Sequence, residues 1–329
     1  MPFMPAPLYQ TGNPLANASL PVRAVLDTDT YNEIDDQFAL VYALLSPKHI
    51  QLEAVYAAPF FCPELNNRST SPADGMERSY EEILRVLGHL GFPHPPGYVL
   101  HGSARYLSDR QNPVPSDAAR DLVRRAHTVT KGRLFIFAIA AITNVASALL
   151  MDPSIAEKIV VVWLGGNPYG WPDGAEFNLR EDVIAAQIVF GSGAQIIHVP
   201  CKNVAEHLRT TVPEMTAHVK GRGLIGDYLH KIFTDYDHAD ELAWSKPIWD
   251  ISAIAALVSP AAFTFQIHPR PRLTDDMRWL PEPGAPPLTV VTEINRDLIF
   301  RDFFLRLHAH DSSRRKKPNP GGRRIPALT

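Results

Sequence analysis

The sequence predicts an α/β protein built on an open, mostly parallel, Rossmann-like sheet with helices on both faces. Two observations carry that reading. Leu134-Phe-Ile-Phe-Ala-Ile139 and Lys158-Ile-Val-Val-Val-Trp-Leu164 are unbroken apolar runs of strand length, the pattern of parallel strands covered on both sides. Strand-like runs alternate along the chain with helical patterns, as βα units do.

The first strand runs from Val22 to Leu26, and Phe38 to Leu45 is a largely buried helix that ends before Pro47. Leu52 to Ala58 reads as the second strand, followed by a polar loop from Pro59 to Gly75 and a helix over Met76 to Leu90. Long loops at strand ends carry function more often than ornament. Gly97 to His101 is a short strand and Ser116 to Thr128 a helix. Thr143 to Leu150, Glu181 to Phe190 and the strand Gln195 to Val199 continue the alternation. A helical segment precedes Trp249-Asp250, and a Pro-rich stretch from Leu280 to Pro287 leads into a late strand at Leu288 to Ile294. Residues 1–20 read as a poorly ordered arm, 21–311 as one catalytic domain and 312–329 as a disordered tail.

With 329 residues and 45% hydrophobic content, the chain can bury a sizeable core. Six of its 32 basic residues follow Ser313, which leaves 26 against 35 acidic residues in the body. A body at −9 argues against a nucleic-acid partner. No apolar run approaches a membrane span and no signal-peptide pattern opens the chain, so the expectation is a cytoplasmic protein without a membrane partner. Cys62 and Cys201, the only cysteines, lack metal-ligand spacing.

Four aspartates, Asp27, Asp29, Asp35 and Asp36, fall within ten residues between the first strand and its helix. Ligands of open α/β sheets bind at the carboxyl ends of strands, which is where these residues sit. Crowded carboxylates raise one another's pKa unless a cation neutralises them, and a hard divalent ion with oxygen ligands does so best. Helix capping accounts for one or two such aspartates, not four. Other strand ends add Ile139-Ala-Ala-Ile-Thr143-Asn144, Glu176-Phe-Asn178 and Trp249-Asp250.

Taken together, these motifs resemble the inosine-uridine nucleoside hydrolase family over roughly residues 22–300, and the resemblance implies the nucleoside hydrolase fold. It implies a Ca2+ ion held by Asp29, Asp36, Asp250 and the backbone carbonyl of Ile139. Asp29 would then be the general base, deprotonating a calcium-bound water that attacks C1′ of a ribonucleoside through an oxocarbenium-like transition state. Asp35, Glu176 and Asn178 would hold ribose hydroxyls, Trp249 would stack on the base, and Asp27 would support the ligands from behind. A homodimer or homotetramer and a role in nucleoside salvage are implied by the same likeness.

The chain also departs from the family pattern. Five residues, Thr30 to Ile34, separate Asp29 from the Asp35-Asp36 pair where three are usual, which brings Asn32 and Glu33 towards the site. Pro59-Phe60 stands where a Gly-Asn is common, leaving Asn66, Asn67 or Arg68 to substitute; an asparagine upstream of Glu176 is expected to be missing near Gly170. Trp249 replaces a histidine that protonates the leaving base, and indole is no acid at neutral pH. His230, Tyr236 and His238 are the candidate donors in its place. Two rival readings are open: a calcium-dependent ribose- or nucleoside-binding protein without turnover, and a haloacid-dehalogenase-type phosphotransferase with Asp27 as nucleophile.

Overall fold

A computed structural model describes residues 10–11, 15, 18–61, 63 and 68–315. Seven strands run parallel: β1 Val22–Thr28, β2 Ile50–Ala57, β3 Val99–His101, β4 Leu134–Ala138, β5 Ile159–Leu164, β6 Gln195–Val199 and β8 Pro287–Ile294. Between the last two in sequence lies β7, Phe263–Pro269, which pairs antiparallel to β8. Gln10–Thr11 closes that edge antiparallel to β7. The spatial order from that edge is Gln10–Thr11, β7, β8, β6, β5, β4, β1, β2, β3.

The order 6-5-4-1-2-3 within the sheet is that of a doubly wound fold. The direction of winding reverses between β1 and β4, and a crevice opens there beyond the strand ends. The two strands meet at the switch point through the Ile139 N–H, which donates to the Asp27 carbonyl at 2.9 Å.

Strand periodicity sorts the core into two layers. Phe135, Phe137, Val160, Val162 and Leu164 face one layer, Leu134, Ile136, Ala138, Val161 and Trp163 the other, because successive side chains leave opposite faces of a strand. The first layer is filled by α1 Asp36–Leu44, α2 Pro72–Leu90, α8 Gly223–Thr234, α9 Ile251–Val258 and α10 Arg296–Arg315. The second is filled by α3 Asp117–His127, α4 Thr143–Met151 and α6 Val183–Gly191. The remaining helices are α5 Phe177–Glu181 and α7 Val212–His218. Each large aliphatic or aromatic side chain fully removed from water contributes about 1.5–3 kcal/mol.

Most predicted elements are present within a residue or two, and five features differ. The helix expected from Met76 begins at Pro72, because the Ser71 side chain accepts from the Asp74 N–H and proline is tolerated at the first turn. The helix expected over Glu181 to Phe190 is two helices broken at Asp182, whose carboxylate accepts from the Ala185 N–H at 2.9 Å. Strand β7 and helix α10 had no counterpart in the sequence reading. Gln10–Thr11, within the expected arm, is a paired strand. Helix α10 continues to Arg315, four residues into the expected tail; residues 316–329 and 1–9 of those two segments lie outside the described residues.

Candidate active site

Two buried helices deliver the aspartates. All eight residues of α9 are buried, as are Asp36 to Ala43 of α1, so each helix is apolar around its circumference. They pack against each other and start at the switch-point crevice. Asp35 and Asp36 open α1, Trp249 and Asp250 open α9, and the Trp249 N–H donates to Asp35 Oδ2 at 3.0 Å, tying the two starts together.

Neither Asp35 nor Asp250 caps its own helix with its side chain. That removes the capping explanation for both and leaves their carboxylates turned to each other. Oxygens of Asp35, Asp36 and Asp250 lie within 4.8 Å of one another, all buried. Positive helix ends help such a cluster by tenths of a kcal/mol, about 0.3–1 each, far short of neutralising three carboxylates.

The electrostatics say the same. Burial, then the Asp35 charge, pushes Asp36 up to about 7. Burial and the neighbouring carboxylates push Asp29 and Asp250 well above the ordinary range, and burial raises Asp35, opposed by the Lys246 ammonium. Asp29 Oδ2 is buried without a hydrogen-bond partner. Hard oxygen donors, too close to be anionic together and with one carboxylate oxygen orphaned, fit a hard divalent cation.

One cavity of about 360 Å³ joins these groups to the other strand ends. Asp29, Asp35, Asp36, Ile139, Glu176, Asn178, Trp249 and Asp250 all line it. Asp27, expected to support the ligands from behind, does not. It is fully buried behind the crevice, and its Oδ1 accepts from Asn144 Nδ2 at 2.8 Å. Asn144 Oδ1 in turn accepts from the Ser103 N–H at 2.7 Å, and Thr143 Oγ1 donates to Asp182 at 2.7 Å, so the Thr143-Asn144 turn braces the site from outside. A carboxylate sealed this way cannot attack a phosphate, which ends the phosphotransferase reading.

Glu176 has a local task as well. Its Oε2 accepts from the Gly166 N–H at 2.7 Å and its Oε1 from the Asn178 N–H at 3.1 Å, capping α5. Gly166, at φ +71°, makes the turn that brings this N–H round. Asn178 Nδ2 donates to the Leu164 carbonyl at 3.1 Å.

Several departures resolve in the structure. Thr28 Oγ1 donates to Asp36 Oδ1, and the longer Thr30 to Ile34 segment folds inward, Ile34 into the core and Asn32 and Glu33 onto the cavity wall. Near the position where an asparagine was expected to be missing, Asn167 lines the cavity and donates to the Ala175 carbonyl at 3.0 Å. The signal was its place directly after Gly165-Gly166. Asn66 and Asn67 lie outside the described residues, whereas Arg68 donates to the Glu33 carbonyl at 3.0 Å. The three candidate donors do not line the cavity: His230 pairs with Thr216, His238 with Glu241, and Tyr236 stacks beneath Lys246. Arg180, Cys201 and Lys202 do line it, and sequence reasoning had passed over all three.

A wider surface recess of about 1020 Å³ around Arg110 and Asp275 is larger than this cavity. Arg110 pairs with Asp275 at 2.6 Å there and Arg270 donates to the Phe190, Ser192 and Ala194 carbonyls, while the acidic residues on its wall are exposed; the buried carboxylate cluster lines the switch-point cavity instead.

Fold and site together define an α/β protein with a metal-ready acidic crevice and a small-molecule cavity at its topological switch point. Comparison with known proteins gives the family. The model of the inosine-uridine preferring nucleoside hydrolases matches residues 24–301, and the chain belongs to that family. It is 31% identical over 256 residues to the non-specific ribonucleoside hydrolase RihC of Salmonella paratyphi B, covering 74% of this chain and 80% of that protein. To the probable uridine nucleosidase 2 of Arabidopsis thaliana it is 27% identical over 278 residues, covering 74% and 79%. Among solved structures, the plant nucleoside hydrolase PpNRh1 superposes with a TM-score of 0.69 at 21% identity, covering 88% of this chain and 99% of that one. The purine-preferring ribonucleoside hydrolase of Gardnerella vaginalis gives 0.68 at 18% identity, with the same coverage. The protein is therefore an enzyme of the nucleoside hydrolase class. No helix among the described residues is long and apolar enough to cross a membrane.

Proposed function

We propose that this enzyme hydrolyses the N-glycosidic bond of ribonucleosides to ribose and free base, with calcium as its cation. The observation that carries the reading is the 360 Å³ cavity on which eight residues expected from the family resemblance converge around a buried carboxylate cluster. Pockets of this size suit one small ligand.

Asp36 and Asp250, with Asp29 and the Ile139 carbonyl, would hold the cation. A bound calcium supplies an acidified water and an anchor for vicinal hydroxyls. Asp29 is the general base: its unpartnered Oδ2 accepts the proton of the attacking water. Asp35 takes a ribose hydroxyl. Glu176 is immobilised by backbone N–H groups, so it offers fixed acceptors to the sugar without having to be ordered on binding. The ring of carboxylates stabilises the positive charge that develops at C1′. Trp249 provides a flat apolar face for the base.

Release of reducing sugar from a panel of purine and pyrimidine ribonucleosides, with calcium and with chelator, beside Asp29→Ala, tests the reading. Metal-dependent and Asp29-dependent ribose release is expected. Nucleoside binding in calcium without release would replace hydrolysis by binding alone. A cytoplasmic salvage role and assembly as a homodimer or homotetramer belong to the same proposal, and sedimentation of the purified chain checks the assembly.

A further inference from the structure

We propose that Lys202 stabilises the departing base, donating from Nζ as the C1′–N bond breaks. The inference rests on the hydrolase reading above.

A nucleobase that leaves as an anion is a poor leaving group, and the carboxylate floor that favours the ribosyl cation repels it. The anion needs a donor from the other side of the cavity. Arg180 and Lys202 are the cations among the described residues that line it. Lys202 follows β6 in Pro200-Cys201-Lys202, and its Nζ lies 5.7 Å from the centroid of the Trp249 ring. Trp249 is itself fixed against the acidic floor, through its N–H to Asp35 and through its neighbour Asp250. A base seated against the indole would have the carboxylates at its sugar end and the ammonium over the indole within reach of its ring.

Lys202 is also positioned to act. Nζ donates to Glu206 Oε1 at 3.1 Å, and Glu206 is held in turn by the Asn203 N–H at 3.2 Å. An ammonium has three donors, so this tether aims the group and leaves donors for a ligand. Charge-assisted hydrogen bonds are roughly twice as strong as neutral ones, which suits a developing anion. Arg180 on α5 is exposed, as Lys202 is, but has no comparable aromatic contact among the described residues.

The step balances. Water adds to C1′ and gives its proton to Asp29; the electron pair of the C1′–N bond passes to the base, which takes a proton from Lys202 Nζ and departs neutral. Proton exchange with solvent resets both side chains.

The test compares Lys202→Met, Lys202→Arg and Arg180→Met on a natural ribonucleoside and on p-nitrophenyl β-D-ribofuranoside, whose phenolate leaves without a donor. Methionine keeps much of the apolar stem against the indole. Lys202→Met should lower kcat for the ribonucleoside by about 10²-fold or more and leave kcat for the nitrophenyl riboside nearly unchanged, with Lys202→Arg recovering part of the loss. Equal losses on both substrates, no loss on either, or the selective loss appearing in Arg180→Met instead would each overturn the assignment. A wild-type enzyme that cleaves neither substrate would refute the hydrolase reading itself, and the inference would fall with it.

Discussion

Replacing Asp36 by asparagine should stabilise the metal-free enzyme and weaken its hold on calcium. In the folded protein the Asp36 carboxyl is raised from 3.8 to about 7, chiefly by burial and then by the Asp35 charge. A folded pKa above the unfolded one means that the group's contribution to stability is fully present below about pH 4 and is lost as pH rises through about 7. The gap of about three pH units corresponds to about 4 kcal/mol at pH 8, at 1.36 kcal/mol per unit. Asparagine carries no charge, and its carbonyl oxygen can still accept from Thr28 Oγ1, so the variant avoids that cost without losing the hydrogen bond. At roughly 2 °C per kcal/mol for a chain of this size, its Tm in chelator at pH 8 should exceed wild type by up to about 8 °C, with the difference shrinking towards pH 4. Calcium at about 1,000 times its wild-type Kd should restore about 4.1 kcal/mol to wild type and much less to the variant, so the difference in stability closes. Thermal unfolding at pH 5 and pH 8, each with chelator and with calcium, reads all of this. An Asp36→Asn protein destabilised in chelator to the same extent at both pH values would refute the reasoning, because the carboxylate would then be a satisfied structural group.

Other outcomes follow from the same geometry. Asp29→Asn should fold with unchanged or higher Tm in chelator, its orphaned Oδ2 being gone, while losing about 10²–10⁴-fold in kcat, measured by ribose release. Glu176→Ala strips the acceptor from two well-aligned backbone N–H groups, so denaturant unfolding should show a loss of about 1–3 kcal/mol together with a raised KM; Glu176→Gln should lose less stability than Glu176→Ala. Asp27→Ala should cost stability by leaving Asn144 Nδ2 unpaired, and should lower activity only through the position of the Ile139 turn. As a control remote from the chemistry, Ile136→Ala in the fully buried second layer should cost about 2–5 kcal/mol while leaving KM unchanged in the protein that remains folded.

Local patterns were legible where one residue's environment depends on its near neighbours in sequence. Strands β4 and β5 are apolar at every position because both faces are covered, and that needs no partner to recognise. Helix α3 was legible in its extent, expected over Ser116 to Thr128 and found over Asp117–His127 with the Ser116 side chain capping it. Strand β7 and helix α10 were missed for the opposite reason. Strand β7 is only partly buried at most positions, with neither a continuous apolar run nor a clean alternation, and α10 is polar enough to read as solvated until its Phe300, Phe303 and Leu307 meet the first core layer.

The sequence by itself determined the class of fold, the four aspartates at a strand-to-helix turn, and the strand ends that carry Glu176, Asn178, Trp249 and Asp250, since each is written in contiguous residues. Tertiary structure alone decided which carboxylates are free. Asp35 and Asp250, separated by more than two hundred positions, meet without capping their helices, whereas Glu176 and Asp182 spend theirs on helix ends and Asp27 is sealed behind Asn144. It also decided that Asn167, Arg180 and Lys202 belong to the cavity. Hydrogen-bond occupancy and burial depend on what the remainder of the chain brings within 3 Å of a side chain, and no local pattern encodes that.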